Sequence, residues 1–398
     1  MSIGRSLHEV AVVTSLGLRT LPQRATPVLV ATLGMLGVVA VFVAVLSVAE
    51  GFRATLAAAG APELAMVMRA GSDTEMSSFL SGEDARLVAN APGVRRDDGG
   101  ALSSAELFVV VDMPKKSTDT IANVPLRGVQ PAAFRVHEKV HIISGRLFEP
   151  GRNELIVGEA ASRQFAGLEI GNTITWSGNP WTVVGVFGAD GSLAESELWC
   201  DLRVLQGLYH RGNSVQSVMV RLTSAELFPE FKDALTADPR LNVKVLRADA
   251  YYADQSQAIN AVITGIGYFV VMLMGIGAVF GALNTMYSAV AARSREIAVL
   301  RALGFSASAI VVSVLTEALL IGAIGGLFGG WLAYVVFNGY QAATLNFQSF
   351  SQVVFTFSIT PAIVKQGVAC ALVMGLIGGF FPALRAARLP VATALREP

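Results

Sequence analysis

Long apolar runs are distributed very unevenly along this chain of 398 residues. One run lies between Pro27 and Ala49, and three more follow Ile259 in the last third of the sequence. A helix needs about 20 consecutive apolar residues to cross the hydrocarbon core of a bilayer. The pattern therefore predicts four membrane-spanning helices, with a large and mostly polar segment between the first and the second.

The boundaries of these runs predict the organisation of the whole chain. We expect residues 1–26 to form an interfacial N-terminal helix, although an extension of the first span is the other interpretation; Pro22 and Pro27 favour a break. We expect the first span to be a retained anchor, since about 26 residues precede it. The remaining predicted segments are the first span at 27–50, the outer domain at 51–257, the second span with a stalk at 258–292, a coupling loop at 293–308, the third span at 309–337, an outer loop at 338–361, the fourth span at 362–381 and a tail at 382–398.

The segment between the first two spans has the patterning of a mixed α/β domain. Short runs rich in β-branched and aromatic residues predict nine strands, at 65–69, 108–112, 125–129, 141–144, 154–157, 173–176, 181–187, 217–222 and 243–246. Residues 177–180 are predicted to join two of these strands as a hairpin. Helices are predicted at 83–90, 159–165 and 225–237, the last with a capping box formed by Thr223 and Glu226.

Charge is distributed unevenly, although the chain holds 30 basic and 30 acidic residues. Residues 51–258 contain 20 Lys and Arg against 25 Asp and Glu, and the rest of the chain contains 10 against 5. Outside the large domain, basic residues lie before the first span, within the loop 293–308 and after the fourth span, whereas residues 338–361 contain no Lys or Arg. The positive-inside rule then predicts a multi-pass protein of a bacterial inner membrane with both termini in the cytoplasm and a periplasmic outer domain. The acidic outer domain disfavours nucleic-acid binding.

The third and fourth spans carry small residues at regular spacing. Gly322, Gly326 and Gly330 recur every four residues in the third span, and Gly375 and Gly379 do so in the fourth. Small residues on one helix face let two backbones approach closely, which is a main source of helix association in lipid. We predict helix packing along these faces, with a flexible gating role as the alternative.

Glu317 is an ionisable residue about two turns into the third predicted span. A carboxylate that faces lipid is costly, so we expect this side chain to face a neighbouring helix or the inner headgroup region. Structural pairing and a direct role in transmission both stay open.

Residues suited to covalent chemistry are not grouped along the chain. The four His residues lack metal-ligand spacing with Cys or carboxylates. The absence of any Gly-Lys dipeptide excludes a Walker A loop. We therefore expect a non-catalytic chain that binds no metal or cofactor of its own.

The segment from Arg293 to Gly304, RSREIAVLRALG, resembles the signature of the FtsX/MacB-like permeases. These are the type VII ABC transporter permeases, which include the lipoprotein-releasing LolC and LolE. Residues 18–24, 145–158 and 382–396 match the same family. The resemblance implies a half-transporter that pairs with a second copy and with a cytoplasmic ATPase, on which ATP and Mg are bound. MacB carries its ATPase ahead of the first span, so we expect a separate ATPase polypeptide here.

The same segment has residues that suit docking of a partner. Residues 293–303 can form a short helix. We predict that one face of this helix exposes the apolar residues Ile297, Leu300 and Leu303 or Gly304. The charged residues at the rim of that face are predicted to be Arg293, Arg295, Glu296 and Arg301. Gly304 suits the end of the helix. On the residues alone, the arginines can simply fix topology; the resemblance implies that this face docks the ATPase.

The resemblance implies a dimeric permease that transmits ATP-driven motion to its periplasmic domains and so exports or extracts a substrate. The family includes permeases for efflux and permeases that extract lipoproteins or lipids. If this chain serves efflux, the expected partners also include a periplasmic adaptor and an outer-membrane channel. Membrane lipids surround the spans. The alternative is an FtsX-like transducer that regulates a cell-wall hydrolase without transport. An outer domain of about 210 residues resembles MacB more than FtsX.

Overall fold

The computed structural model describes residues 3–19, 25–176, 178–346 and 351–389. Ser177 of the predicted hairpin, Pro22 and the tail from residue 390 lie outside the described residues. The helices are α1 (Ile3–Arg19), α2 (Ala25–Ala59), α3 (Gly82–Ala89), α4 (Ala133–Val136), α5 (Glu159–Gln164), α6 (Leu202–Leu208), α7 (Phe228–Ala237), α8 (Ala248–Ala292), α9 (Ser294–Ala302), α10 (Ala307–Phe337) and α11 (Pro361–Ala387). The strands are β1 (Leu64–Arg69), β2 (Arg96–Asp97), β3 (Gly100–Ala101), β4 (Ser103–Pro114), β5 (Ile121–Val129), β6 (His141–Gly145), β7 (Glu154–Gly158), β8 (Thr173–Trp176), β9 (Asn179–Gly188), β10 (Leu198–Asp201), β11 (Ser217–Arg221), β12 (Val243–Arg247), β13 (Gln341–Asn346) and β14 (Ser351–Thr356).

The described residues fall into two compact units. The membrane unit comprises those of Met1–Glu50, Val262–Tyr340 and Phe357–Pro398. The outer unit comprises Gly51–Ala261 and those of Gln341–Thr356. Two helices, α2 and α8, have residues in both units. α2 continues beyond residue 50, where its span was predicted to end, and α8 begins before residue 258, where its span was predicted to start.

Among the described residues, four helices are long and apolar enough to cross a membrane, namely α2, α8, α10 and α11. This confirms the predicted fold class of four spans with a mixed α/β domain between the first and the second. The start of α10 is fixed by Ser306, whose hydroxyl accepts a hydrogen bond from the Ala309 N–H. Thr360 caps α11 in the same way, and Pro361 occupies the first turn, where its missing N–H costs nothing.

The outer unit is built on one ten-stranded sheet. Its strand order is β12-β1-β11-β4-β5-β10-β7-β9-β6, and β8 pairs with the other end of β9. All neighbours are antiparallel except the pairs β5 with β10 and β7 with β9. Successive side chains of a strand point to opposite faces, so Gly128 of β5 lies against Leu205 of α6 while Arg127 points to the other face. The main hydrophobic core lies on the face that α3, α6 and α7 cover.

The nine predicted strands are all confirmed, with bounds that differ by a few residues. β8 and β9 also pair as the predicted hairpin. The predicted capping box of Thr223 and Glu226 is wrong, because Ser224 is the N-cap residue there and its side chain makes no cap hydrogen bond. A single turn of 3-10 helix at Ala225–Leu227 precedes α7.

The segment between α10 and α11, predicted only as a loop, contains the hairpin β13 and β14. This hairpin belongs to the outer unit. The Val354 N–H donates to the Ser196 hydroxyl at 3.0 Å, and the Phe355 ring lies edge-on to Phe52 of α2. The outer unit is therefore completed by residues from the last third of the chain.

Candidate functional site

The predicted glycines all lie at one helix contact in the membrane unit. A Cβ placed on Gly322 of α10 would come within 2.8 Å of the Ala371 carbonyl oxygen of α11, and one on Gly375 of α11 would come within 2.8 Å of the Ala318 carbonyl oxygen of α10. A Cβ on Gly379 would lie 2.5 Å from the Ala318 Cβ, and one on Gly326 or Gly330 would lie 3.0 Å from a side-chain atom of α11. The two backbones are in direct contact, and no larger side chain fits between them.

A second glycine face of α10 lies against α2. A Cβ on Gly325 would meet the Met35 Cβ at 2.9 Å, and one on Gly329 would meet the Leu36 carbonyl oxygen at 2.6 Å. Each of these glycines directly precedes a member of the first set, so it is turned by about 100° around the helix axis and faces α2 rather than α11. The offset in the sequence was the only signal of this second contact.

Arg293 and Glu317 form a buried ion pair at one end of the same helices. The Arg293 Nη2 donates to the two carboxylate oxygens of Glu317 at 3.0 and 3.1 Å and to the Gly17 carbonyl oxygen at 3.0 Å. The side chains are only 11% and 5% exposed. Since Arg293 lies between α8 and α9, one guanidinium joins that junction to α10 and α1.

The pair changes the predicted role of Arg293. Arg293 was expected at the rim of a docking face, but its guanidinium points inward because Glu317 and Gly17 hold it there. Glu317 faces a neighbouring segment of the chain, which is one of the two orientations expected for it. α1 is further attached to α10 by the Ser313 hydroxyl, which donates to the Val13 carbonyl oxygen at 3.3 Å.

The predicted apolar face of α9 is only partly correct. Ile297 is wrong as an exposed residue: it is 6% exposed and packs in a cluster with residues of α8 and α10. Leu300 is half-buried. The large apolar residues that are exposed in this segment are instead Val299, 44% exposed, and Leu303, 72% exposed.

Helical periodicity explains the difference. With Ile297 and Ala298 turned inward, the outward stripe consists of Arg295, Val299 and Leu303, each four residues apart. Glu296 is also exposed and Arg301 is half-buried at the edge of this stripe. Gly304 ends the segment with a φ of +92°, a left-handed conformation that glycine adopts without strain.

The outer unit holds a buried charge cluster that the sequence did not reveal. Arg127 of β5 contacts three carboxylates, those of Glu75 and Glu106 at 2.9 Å and that of Glu197 at 2.8 Å. All four side chains are less than a tenth exposed. Burial opposes the charge on Arg127, but Glu197 and Glu75 outweigh this effect and raise its pKa.

Neighbouring side chains complete the cluster. Burial acts to raise the pKa of Glu106, but His137, whose Nε2 lies 3.0 Å from its carboxylate, and Arg127 hold that pKa below its usual value. The Trp199 indole N–H donates to Glu197 at 2.7 Å, and the Ser217 hydroxyl donates to Glu75 at 2.6 Å. These contacts give the carboxylate oxygens of Glu197 and Glu75 hydrogen-bond donors besides Arg127.

The cluster also holds the first turns of α8. The backbone N–H of Glu75 donates to the Tyr251 hydroxyl at 3.3 Å. Tyr251 lies on the first turn of α8, the helix that carries the second span. A charged residue inside an otherwise apolar strand, as Arg127 is in β5, was the signal available in the sequence. The described residues hold no group of three or more His, Cys, Asp or Glu placed to bind a metal ion.

Two protein families match adjacent parts of the chain. Residues 28–238 match the family described as MacB-like periplasmic core domain, and residues 268–391 match the family described as FtsX-like permease C-terminal. The chain belongs to the MacB/FtsX-like permease family. The resemblance drawn from residues 293–304 is thereby confirmed, and the site described above in the membrane unit lies mostly in the FtsX-like part of this permease.

Individual relatives agree with the family. The permease is 28% identical over 384 residues to the macrolide export ATP-binding/permease protein MacB of Nitrobacter winogradskyi, covering 90% of this chain and 56% of that protein. It is 42% identical over 118 residues to the pyoverdine export ATP-binding/permease protein PvdT of Pseudomonas savastanoi pv. phaseolicola, covering 29% of this chain and 16% of that protein. The chain thus spans about half the length of the MacB relative.

Two solved structures of low sequence identity also match part of the chain. The periplasmic region of MacB from Actinobacillus actinomycetemcomitans is 13% identical, with 49% of this chain and 93% of that chain covered and a TM-score of 0.37. The extracellular domain of the noncanonic ABC-type transporter YknZ from Gram-positive bacteria is 18% identical, with 46% and 99% covered and a TM-score of 0.35.

Proposed function

We propose that this chain is the membrane subunit of an ABC transporter that exports or extracts a substrate on the outer side of a bacterial inner membrane. An ABC ATPase docks on α9, and its ATP-driven motion reaches the outer unit through α2 and α8. The observation that carries the proposal is the Arg293 to Glu317 pair. It fixes the base of α9 to α10 and α1, so a force applied to α9 is passed to the helices rather than absorbed by a loop.

The outward stripe of α9 supports a protein partner at this place. Val299 and Leu303 expose apolar surface beside the charges of Arg295 and Glu296. An apolar centre with a charged rim is the usual composition of a docking site for another protein. The positive charge of this loop, against none in residues 338–361, supports its location in the cytoplasm, where an ATPase finds ATP and Mg.

The continuity of α8 supports transmission. This helix is uninterrupted from Ala248 to Ala292, and its first turns are bonded to the charge cluster of the outer unit through Tyr251. Its middle exposes large apolar residues such as Phe269 and Phe280. Such a surface suits lipid and a second copy of the chain, and we propose that the transporter is a dimer.

The outer unit supports transport over regulation of a hydrolase, because the match covering it is to the MacB-like core domain. Relatives are named for macrolide and pyoverdine export, which supports an export role here. In this proposal ATP is hydrolysed by the ATPase, and the permease carries no catalytic residue or cofactor. A periplasmic adaptor and an outer-membrane channel would complete an efflux pathway.

Co-purification of the ATPase tests the proposal. Leu303→Asp and Val299→Asp are expected to reduce recovery of the ABC ATPase that co-purifies with the wild-type chain from its own host by about tenfold or more, since each places a charge in the centre of the apolar stripe. Ile121→Asp is the matched control, because Ile121 is equally apolar, 73% exposed and lies in the outer unit. Full recovery with both α9 variants would contradict docking on α9.

A further inference from the structure

The outer unit contains an open cleft of about 870 Å³ between α3 and α6, above β4 and β5. Small side chains line it from α3 and β4, namely Ala85, Ala89, Ser103 and Ala105, beside the longer Arg86 of α3. Binding clefts for organic molecules have volumes of about 300–1,000 Å³.

Three arginines line this cleft, namely Arg86, Arg135 and Arg203. Arg135 is paired with Asp97, whereas no ion pair is found for Arg86 or Arg203 among the residues that the structure describes. The one acidic residue in the lining, Asp201, uses its carboxylate to accept two backbone N–H groups at the start of α6. The cleft is therefore positive, although residues 51–258 hold more acidic than basic residues.

We infer that this cleft binds an amphiphilic organic anion, with the guanidinium groups of Arg86 and Arg203 on its acidic group and the alanine floor under its apolar part. Guanidinium groups recognise carboxylates and other oxyanions through paired hydrogen bonds. Both arginines are exposed, so each can pair with an anion that enters the cleft from solvent. The inference rests on the proposed function in one respect: a transporter that acts on the outer side must contact its substrate there.

Carboxyfluorescein tests the inference, because it is an organic anion of suitable size that does not cross membranes. The full chain in lipid nanodiscs is expected to bind the dye saturably, as measured by fluorescence anisotropy. Arg86→Glu and Arg203→Glu are each expected to weaken binding by about tenfold or more, the effect of losing one charge-assisted contact and adding a repulsive one. Ala89→Phe adds a ring to the floor without changing charge, and it is expected to abolish binding by filling the cleft.

Lys232→Glu is the matched control, since it makes the same change of charge at an exposed position of α7 that does not line the cleft. Organic dicarboxylates are expected to displace the dye, and their methyl esters are not. Saturable binding that survives all three cleft variants, or no saturable binding to the wild type, would overturn the inference and leave the cleft to a protein partner. The ATPase is absent from this measurement, so its outcome is independent of the docking experiment on α9.

Discussion

Replacing Arg127 by Met is expected to destabilise the outer unit strongly. The change removes the cation that contacts Glu75, Glu106 and Glu197, while Met keeps an unbranched chain of similar length. Removing one partner from a buried ion pair costs about 3–5 kcal/mol. The cost of protonating one carboxyl group in place of the lost cation gives a similar figure. With an ordinary pKa of 4.5, protonation at pH 7 costs about 3.4 kcal/mol, since each pH unit corresponds to about 1.4 kcal/mol.

Acidification distinguishes this mechanism from simple loss of packing. In the wild type the folded pKa of Glu106 is below its ordinary value, so the stability it contributes is present at neutral pH and is lost as pH falls through the folded pKa. In the variant Glu106 keeps His137 as a partner, but the cluster has lost its arginine, and protonation of one buried carboxyl group relieves the uncompensated negative charge. The cost of one proton falls to about 1.4 kcal/mol at pH 5.5. The difference in stability between the two proteins should therefore narrow by about 2 kcal/mol between pH 7 and 5.5.

Tryptophan fluorescence during thermal unfolding measures this effect. Three of the four tryptophans, Trp176, Trp181 and Trp199, lie in the outer unit. For a domain of this size, a loss of 3–5 kcal/mol lowers the melting temperature by about 10 °C. Arg240→Met is the matched control, because Arg240 contacts Asp238 at 2.7 Å on the exposed surface, and little change is expected. A melting difference that is small, or that does not narrow on acidification, would refute the electrostatic account of the cluster.

Three further predictions concern the membrane unit and topology. Gly322→Leu is expected to lower the melting temperature in detergent by several degrees, because its side chain would collide with α11. Gly34→Leu is the control and is expected to melt close to the wild type, because an added Cβ there has no neighbour within 4 Å. Equal melting temperatures for the two variants would contradict glycine packing. Arg293→Gln and Glu317→Gln should each destabilise, and the double variant should lose about 1 kcal/mol less than their sum, whereas additive losses would show that the pair does not interact. In a chain without native cysteines, a cysteine at the exposed Thr118 should react with an impermeant maleimide in spheroplasts, while one in α9 should react only after lysis; the reverse pattern would invert the proposed orientation.

The apolar pattern predicted the long helices and most strands because each depends on local sequence. Span length is set by bilayer thickness, and strand alternation is set by one buried face. The charge cluster depends instead on contacts between distant parts of the chain. Arg127 is 21, 52 and 70 residues from its three carboxylate partners, and no local pattern relates them.

The coupling segment shows a second limit of sequence reasoning. The short helix α9 was expected, and it forms, but several of its faces carry apolar residues. Which face turns inward depends on α8 and α10, which bury Ile297 and leave Val299 outside. The strand β10 and the hairpin of β13 and β14 were missed for a related reason. β10 has four residues and is a strand because β5 and β7 pair with it, whereas β13 and β14 pair with each other.

Both buried arginine sites are associated with the ends of α8, and this suits a helix that transmits displacement. Arg293 follows its last residue, and the Arg127 cluster is bonded to Tyr251 in its first turn. Buried ion pairs are seldom the most stable choice, since well-packed apolar residues of similar volume often serve as well or better. Their advantage is geometric. An apolar contact between helices can slide by a fraction of an ångström at little cost, whereas a guanidinium hydrogen-bonded to a carboxylate must hold its register or break. A helix held in this way at each end moves together with the residues bonded to it. For that reason we expect substitutions at either arginine to impair transport more than their effect on stability alone would explain.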